Sequence, residues 1–176
     1  MEYRLPSLDD KEIIKSYIED HYSNGERSLS ASNMLTSMKY EDWVKKIYNN
    51  VDISDKDWGK SITYLVLDKD KLIGLLNIRY TLNESMRMMY GDVGYGVRPS
   101  ERMKGYATKM LKYALSECKR LGMEDVILGC YKDNIGSAKT IIKNGGQLIN
   151  EVDEEKQITE YWKINLIRQY YKIKIK

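Results

Sequence analysis

Cysteine and histidine are scarce in this chain of 176 residues, which contains two cysteines and a single histidine. Cys118 and Cys130 are too few to form a disulfide framework. His21 lies far from both along the chain, so a thiol nucleophile with a histidine base is not favoured, and we expect His21 on the surface or in a loop. No group of His, Cys and carboxylates has metal-ligand spacing, which predicts that the protein has no metal site.

Long apolar runs and a strong excess of one charge are also missing. No stretch is long and apolar enough to cross a membrane, and charged residues rather than an apolar run follow Met1. The 29 basic and 26 acidic residues give a net charge of +3, which argues against a dedicated nucleic-acid-binding protein. We therefore predict a soluble cytoplasmic protein without membrane or nucleic-acid partners.

The C-terminal residues alternate between lysine and isoleucine. This period of two predicts an edge strand that its lysines protect from pairing with other strands. Exposed isoleucine and tyrosine residues near the same end favour a homodimer. The alternating segment consists of Lys172, Ile173, Lys174, Ile175 and Lys176.

Hydrophobic periodicity predicts two N-terminal helices, followed by hairpins, a strand–helix–strand crossover and a closing hairpin. The length suits one domain, residues 1–176, of the α/β (α+β) class with a mixed, mostly antiparallel central sheet. We expect a loop at 83–87. The strands are expected near residues 62–67, 72–80, 90–98, 125–130, 147–152 and 158–166.

One turn in the sequence has the composition of an anion-binding site. Arg102, Gly105 and Ala107 are predicted at the first turn of a strongly amphipathic helix, which presents free N–H groups and the positive end of the helix dipole. Small residues allow an anion to approach the backbone, and Arg102 and Lys104 add positive charge. Spacing alone leaves open an ordinary glycine turn before a helix.

The strand before this turn is interrupted by Gly91, Gly94 and Gly96. Glycine at this density predicts a β-bulge or the close approach of a ligand to the backbone. Further along the chain, Asn134 is placed to cap another helix, which ends at Gly145-Gly146.

Together these features resemble the GNAT superfamily of acetyl-CoA-dependent N-acetyltransferases. The resemblance covers residues 62–166 and is most specific in the segments Gly94-Tyr95-Gly96-Val97-Arg98-Pro99-Ser100-Glu101-Arg102 and Lys104-Gly105-Tyr106-Ala107. It implies that acetyl-CoA is the cofactor. It also implies that the next parallel strand, which ends at Cys130, splays away to leave a wedge for the pantetheine arm.

The resemblance assigns cofactor contacts to named positions. Tyr95 and Val97 would bond the pantetheine in β-strand fashion, and Asn134 and Ser137 would lie beside it. The pyrophosphate would bind backbone N–H groups of the turn, which comprises Arg102, Met103, Lys104, Gly105, Tyr106, Ala107 and Thr108.

The catalytic groups are less well defined by the sequence. Asp92 is the predicted base because family bases are often carboxylates near the start of this strand, and Glu84 is a weaker candidate. The tyrosine that often protonates the departing thiolate in the family corresponds here to Ile141. Tyr131, another tyrosine or water would then replace it. A backbone N–H around Tyr95 to Val97 would stabilise the developing oxyanion.

The function that follows is transfer of an acetyl group to an amine of a small molecule or of a peptide or protein terminus. The amine would attack the thioester directly in a ternary complex. The sequence leaves two other hypotheses open, a non-catalytic acyl-CoA-binding or regulatory module and an interaction protein that only keeps the fold. The first two helices, the 83–87 loop and the closing hairpin are expected to form the acceptor site.

Overall fold

The computed structural model describes residues 1–54, 59–153 and 167–175. Its α+β architecture confirms the predicted fold class. Seven strands and five α-helices follow one another in the order β1, α1, α2, β2, β3, α3, β4, α4, β5, α5, β6, β7 within these ranges. Their bounds are β1 Glu2–Arg4, α1 Lys11–Ser23, α2 Tyr40–Asp52, β2 Ser61–Asp68, β3 Lys71–Arg79, α3 Glu84–Tyr90, β4 Val93–Val97, α4 Tyr106–Arg120, β5 Asp125–Tyr131, α5 Ile135–Lys143, β6 Gln147–Asp153 and β7 Ile167–Lys174.

The first sheet is antiparallel and has the strand order β1-β2-β3-β4. Lys69 and Asp70 form the tight turn between β2 and β3, and both have the positive φ that such hairpin turns require. The two long strands are buried along almost their whole length because helices cover both faces of the sheet. This arrangement confirms the predicted hairpin and the mostly antiparallel sheet.

The two faces of this sheet form two separate cores. Residues such as Leu65 and Leu75 pack against α1 and α2, including the fully buried Trp43. Residues such as Val66 and Leu76, from the same two strands, pack against α4 instead. The alternation of side chains along a strand produces this division and places α4 behind β4.

The second sheet corrects the prediction for the C-terminal residues. Its order is β5-β7-β6, so β7 lies in the middle of the described strands and is not an edge. Tyr171 and Ile173 are buried in the α4-side core, and Lys172 on the other face pairs with Asp125 at 2.7 Å. The lysine–isoleucine alternation therefore reflects one buried face. The predicted return strand at 158–166 lies outside the described residues.

The predicted loop at 83–87 is wrong, because Glu84–Tyr90 form helix α3. Asn83 is its N-cap, and the Asn83 side chain accepts a hydrogen bond from the Met86 N–H at 3.0 Å. Gly91, with a φ of 73°, ends the helix. A seven-residue helix shows little hydrophobic periodicity, so the cap was the only sequence signal for it.

The gap between β4 and β5 is the feature that positions the site, and we call it the wedge. The two strands belong to different sheets. They meet at one point, where the Asp92 N–H donates to the Ile127 carbonyl at 2.7 Å. The structure thus contains the gap that the family resemblance implied.

Candidate active site

The edge of β4 that faces the wedge has no partner strand in the described part of the chain. Arg98 donates its N–H to the Ile73 carbonyl, and the Asp92 carbonyl accepts from Arg79, so the even-numbered residues of this stretch bond to β3. The β3–β4 register is continuous between these two points. In an antiparallel pair the other set of residues points away. The N–H and C=O groups of Val93, Tyr95 and Val97 therefore face β5 across the wedge.

The continuous register shows that the predicted bulge in β4 is wrong. The glycines serve close packing instead. A Cβ on Gly96 would lie 3.0 Å from the Ser30 carbonyl oxygen, and one on Gly91 would lie 3.1 Å from the Ile127 oxygen. The backbone of β4 is approached on one face by the chain between α1 and α2, and its start is approached by β5.

The turn before α4 holds the second group of free amides. No residue in the described ranges accepts a hydrogen bond from the main-chain N–H groups of residues 103–108. Gly105 has a φ of 78° and is the N-cap of α4, and Met103 has a φ of 61° and a fully exposed side chain. Positive φ at Met103 and Gly105, on either side of Lys104, is typical of the backbone turns that form anion-binding concavities.

The backbone beside these amides is open to a ligand. A Cβ built on Gly105 meets no atom within 4 Å, so the backbone is open at this point. The amides lie beside the end of β4, where the unpaired strand edge begins. Residues 103–108 would hold a diphosphate, and Tyr95 and Val97 would hold an extended amide-containing chain in the wedge.

The two basic side chains of the turn are engaged elsewhere. Arg102 forms a two-pronged ion pair with Glu26, at 2.5 and 2.8 Å, and its Nε donates to the Val97 carbonyl at 3.1 Å. Lys104 pairs with Glu101 at 2.7 Å. Lys104 and Lys71 lower the pKa of Glu101 to about 2. Both predicted charges of the turn are therefore paired with carboxylates of the protein, and these ion pairs support the turn.

Glu26 connects this turn to the first helix. It also accepts a hydrogen bond from His21, whose Nδ1 lies 2.8 Å away. His21 is buried on α1, so the expectation of a surface or loop position is wrong. The polar partner makes the burial of a histidine tolerable.

The side chain of Tyr106 points away from the anion site. Its hydroxyl donates to Asp68 at 2.6 Å, and this hydrogen bond raises the pKa of the tyrosine. Only the main chain of Tyr106 is therefore available to a ligand. The same is true of Ala107, which has no polar side chain.

Two predicted residues at the start of α5 lie on the far side of the wedge. Asn134 caps the helix, with its side-chain oxygen 3.0 Å from the Ser137 N–H. The Ser137 hydroxyl lies 3.0 Å from the hydroxyl of Tyr95. A side chain of β4 thus reaches across to α5.

Asp92 has contacts that fit a structural role rather than a base. Its carboxylate is 1% exposed and accepts hydrogen bonds from the Arg87 guanidinium at 2.8 to 3.0 Å. It also accepts from the Ile127 N–H at 2.7 Å. Arg87 continues to Asp125 at 2.6 Å. A carboxylate with every oxygen occupied by cationic and main-chain donors is poorly placed to collect a proton from a substrate.

The other catalytic candidates are separated by the structure. Tyr131 lies at the end of β5, is 41% exposed and has its ring 5.9 Å from the guanidinium carbon of Arg168. Glu84 is exposed in the first turn of α3. Ile141 is buried in α5 and joins the α4-side core. None of these three approaches the Tyr95–Ser137 pair with a polar contact in the described chain.

Sequence reasoning missed two residues that shape the site. Glu26 holds Arg102, and Arg87 holds Asp92, but neither has a motif that would identify it. Arg87 and Asp92 are only five positions apart, but Arg87 lies on a helix that the sequence did not predict. The Arg102–Glu26 and Arg87–Asp125 pairs join residues 76 and 38 positions apart. No local pattern reports such a pairing.

Comparison with known proteins agrees with this geometry. A family model described as an acetyltransferase (GNAT) domain matches residues 3–147. The chain belongs to the GNAT acetyltransferase family. Comparison with curated proteins finds no significant match.

Solved GNAT structures share the fold across almost the whole chain. A GNAT acetyltransferase of Streptococcus pneumoniae superposes with a TM-score of 0.71, at 14% identity over 99% of each chain. The yncA protein of Salmonella typhimurium, with acetyl-CoA, gives 0.68 at 13% identity, over 99% of this chain and 94% of the other. RimL, a ribosomal L7/L12 α-N-protein acetyltransferase in complex with coenzyme A, gives 0.69 at 15%, over 98% and 93%.

The GNAT family membership confirms the predicted activity class and cofactor. The protein is an acetyltransferase, and its acetyl donor is acetyl-CoA. The match begins at residue 3, so both N-terminal helices belong to the family domain. No described helix is long and apolar enough to span a membrane.

Proposed function

We propose that this acetyltransferase acts on a primary amine, carried by a small molecule or by a peptide or protein terminus. The observation that carries the proposal is that the free amides of residues 103–108 occur together with a β4 edge that has no partner strand among the described elements. The relatives named above include an enzyme of protein N-termini, and a protein named as a proposed phosphinothricin N-acetyltransferase shares the fold at 14% identity. Both acceptor classes therefore occur on this fold.

The cofactor contacts follow from which main-chain groups are free. We assign the diphosphate to the amides of residues 103–108, and the pantetheine arm to Tyr95 and Val97 on one wall of the wedge. Asn134 and Ser137 line the opposite wall. When bound, acetyl-CoA supplies a thioester carbonyl that a neutral amine can attack. The wedge-facing N–H of Tyr95 or Val97 is placed to donate to the oxygen on which negative charge develops.

The acceptor amine must lose a proton before it attacks. An amine with a pKa near 10.4 is mostly protonated at neutral pH. Asp92, the base that the sequence predicts, is occupied by Arg87 and Ile127 in this structure. We propose direct attack in a ternary complex, without a covalent enzyme intermediate. The cytoplasmic location and the homodimer remain predictions from the sequence.

The proposal is tested by titrating coenzyme A into wild-type protein and two glycine variants. Gly105 and Gly122 lie at opposite ends of α4, share a φ of 78° and have open space where a Cβ would be. Valine at either position costs about 1–2 kcal/mol of backbone strain. We expect Gly105→Val to weaken coenzyme A binding at least 100-fold, or about 2.7 kcal/mol. Gly122→Val should bind within twofold of wild type, although its stability falls equally.

Turnover separates an enzyme from a binding module. Thiol release from acetyl-CoA is followed with a panel of primary amines that includes α-amino peptides. Binding without release on any amine would favour the acyl-CoA-binding module. Absence of binding heat and of any rise in melting temperature with wild-type protein would refute the proposal itself, since a ligand of the folded state must stabilise it.

A further inference from the structure

The reaction leaves a thiolate on coenzyme A. The family resemblance implies a proton donor on α5, but the residue at that position has no proton to donate. Ile141 occupies that position, is buried and offers only hydrocarbon. A thiol has a pKa near 8.5, so the thiolate is a tolerable leaving group, but a nearby donor would speed its departure. A replacement for this proton donor must therefore come from another element that borders the wedge.

Tyr95 reaches α5 from β4, on the opposite side of the wedge. Its hydroxyl lies 3.0 Å from the Ser137 hydroxyl. Ser137 precedes Ile141 by four residues, so the two side chains lie on the same face of α5, one turn apart. The phenol of Tyr95 thus ends beside the part of the helix where the missing hydroxyl was expected.

A third protic group lies at the same point. Cys130, the buried penultimate residue of β5, lies close enough to Ser137 for the serine hydroxyl to oppose the rise that burial causes in the pKa of the thiol. Tyr95 and Cys130 both belong to the α4-side core, so their side chains lie on the same face of their strands. Three protic side chains from β4, β5 and α5 converge where the wedge is bounded by all three elements.

Tyr131 lies on the other face. Val126, Leu128 and Cys130 point into the α4-side core, and strand alternation turns the odd-numbered residues of β5 away from it. The exposed Tyr131 ring packs near Arg168 on that face. Among the tyrosines of the described chain, Tyr95 is the one whose hydroxyl contacts α5 across the wedge.

We propose that Tyr95 donates the proton that the coenzyme A sulfur takes up, with Ser137 as the group that holds the phenol in place. The inference rests on the proposed function. As the amine nitrogen bonds to the carbonyl carbon, the carbon–sulfur bond breaks and its electron pair stays on sulfur. The Tyr95 O–H proton passes to sulfur, the phenolate regains a proton through the Ser137 hydroxyl from solvent, and the amine proton leaves to solvent.

The protonation state of Tyr95 suits this role. Burial raises the pKa of the phenol to about 12, so it keeps its proton at neutral pH. Burial also raises the pKa of the Cys130 thiol, which therefore stays neutral and does not compete as an anion. Burial also disfavours the thiolate of coenzyme A, so it raises the pKa of the departing thiol towards that of the Tyr95 phenol.

The test compares Tyr95→Phe with Tyr64→Phe. Tyr64 is the matched control because its hydroxyl also has a single polar partner, Glu117 at 3.0 Å, and lies on β2 away from the wedge. The first readout is the ultraviolet absorbance of the thiolate of bound coenzyme A as a function of pH. We expect Tyr95→Phe to lower the ionisation constant of the bound thiol about tenfold, because a donor to the thiolate is lost.

The second readout is steady-state kinetics. Tyr95→Phe should lower kcat about 100-fold with little change in the KM for acetyl-CoA, the size expected for losing a general acid. Tyr64→Phe should stay within twofold of wild type on both readouts. Should Tyr95→Phe fail to fold, Ser137→Ala replaces it, with an expected tenfold loss of kcat at unchanged KM.

Several results would overturn the assignment of Tyr95. One is a Tyr95→Phe variant that matches wild type in thiol ionisation and kcat, because a packing role affects only stability. Another is the same loss produced by Tyr131→Phe. An unchanged kcat in Ser137→Ala, where Tyr95→Phe does not fold, would also exclude it. Wild-type turnover in these experiments keeps the proposed function intact, whereas failure of wild type to bind coenzyme A refutes that function separately.

Discussion

The two ends of β4 face the same neighbouring strand, β5, but only one end is hydrogen-bonded to it. At the start, the Asp92 N–H and carboxylate both bond to the main chain of Ile127, at 2.7 Å each. Towards the end, Tyr95 and Val97 leave their wedge-facing groups without a strand partner. One end is closed by the protein itself, and the other presents a free edge.

The difference shows how a binding site arises where main-chain N–H and C=O groups have no hydrogen-bond partners within the sheet. Buried N–H and C=O groups must find partners, and an unpaired strand edge is costly unless something else bonds to it. Asp92 fixes where the strands meet, and the free amides at residues 103–108 extend the open end. A carboxylate therefore joins the two strands at one end, whereas they are unpaired at the other.

The largest expected effect comes from breaking the closed end. Asp92→Ala leaves Arg87 without its buried partner and Ile127 without its side-chain acceptor. We expect the free energy of unfolding to fall by about 3–5 kcal/mol, the range for removing one member of a buried ion pair. Urea denaturation at pH 7 measures this loss.

Asp125→Asn is the control for that variant, because it removes the more exposed partner of Arg87 and leaves Asp92 in place. Its cost should be about 1 kcal/mol or less. An Asp92→Ala protein of wild-type stability that binds coenzyme A but has no turnover would contradict the structural role and restore Asp92 as the base.

A smaller effect is expected at the open end, from the pair that supports the turn. Arg102→Ala removes the contacts to Glu26 and to the Val97 carbonyl. If Arg102 supports the turn from behind, the Kd for coenzyme A should rise about fivefold, equivalent to roughly 1 kcal/mol. Isothermal titration at two salt concentrations provides the measurement.

Glu26→Gln sharpens this comparison, because Glu26 has no proposed contact with the cofactor. It should weaken binding in the same direction as Arg102→Ala, and neither variant should change the salt dependence of the Kd. A flatter salt dependence in Arg102→Ala alone would instead show that the guanidinium contacts the diphosphate directly.

The smallest expected effect concerns the acid stability of the turn. The pKa of Glu101 is lowered to about 2 by Lys104 and Lys71, whereas in the unfolded chain it is about 4.3. The stability that this group contributes is therefore complete above pH 4.3 and is lost as the pH falls towards 2. Urea unfolding at pH 6, 4 and 3 should show a shallower decline for Glu101→Gln than for wild type. Parallel declines would contradict the assignment.

Local sequence patterns predicted the glycine turn before α4 and the helix caps well. Gly105 and Asn134 act through their own backbone or through residues within one turn, so a few neighbouring residues determine their geometry. The amphipathic pattern of α4 was equally local. The same reasoning failed for α3, where one asparagine cap was the only signal.

Non-local pairings account for the remaining errors. The alternation at 172–175 reports one buried face but not which strands lie on either side of β7. The glycines of β4 predicted a bulge or the close approach of a ligand, whereas the structure shows close approach by protein neighbours, and all three leave the same glycine signal in the sequence. Asp92 has the sequence position of a base, and only its distance from Arg87 and Ile127 reveals its engagement.

The sequence by itself determined the family, the cofactor and the turn that would bind its diphosphate, because glycine conformation and free helix amides are properties of short segments. Tertiary structure alone decided which strand edge stays open, how Arg102 and Asp92 are occupied and which tyrosine reaches α5. Those outcomes depend on the relative positions of β4, β5 and α5, which are set by packing across the whole fold rather than by any one segment.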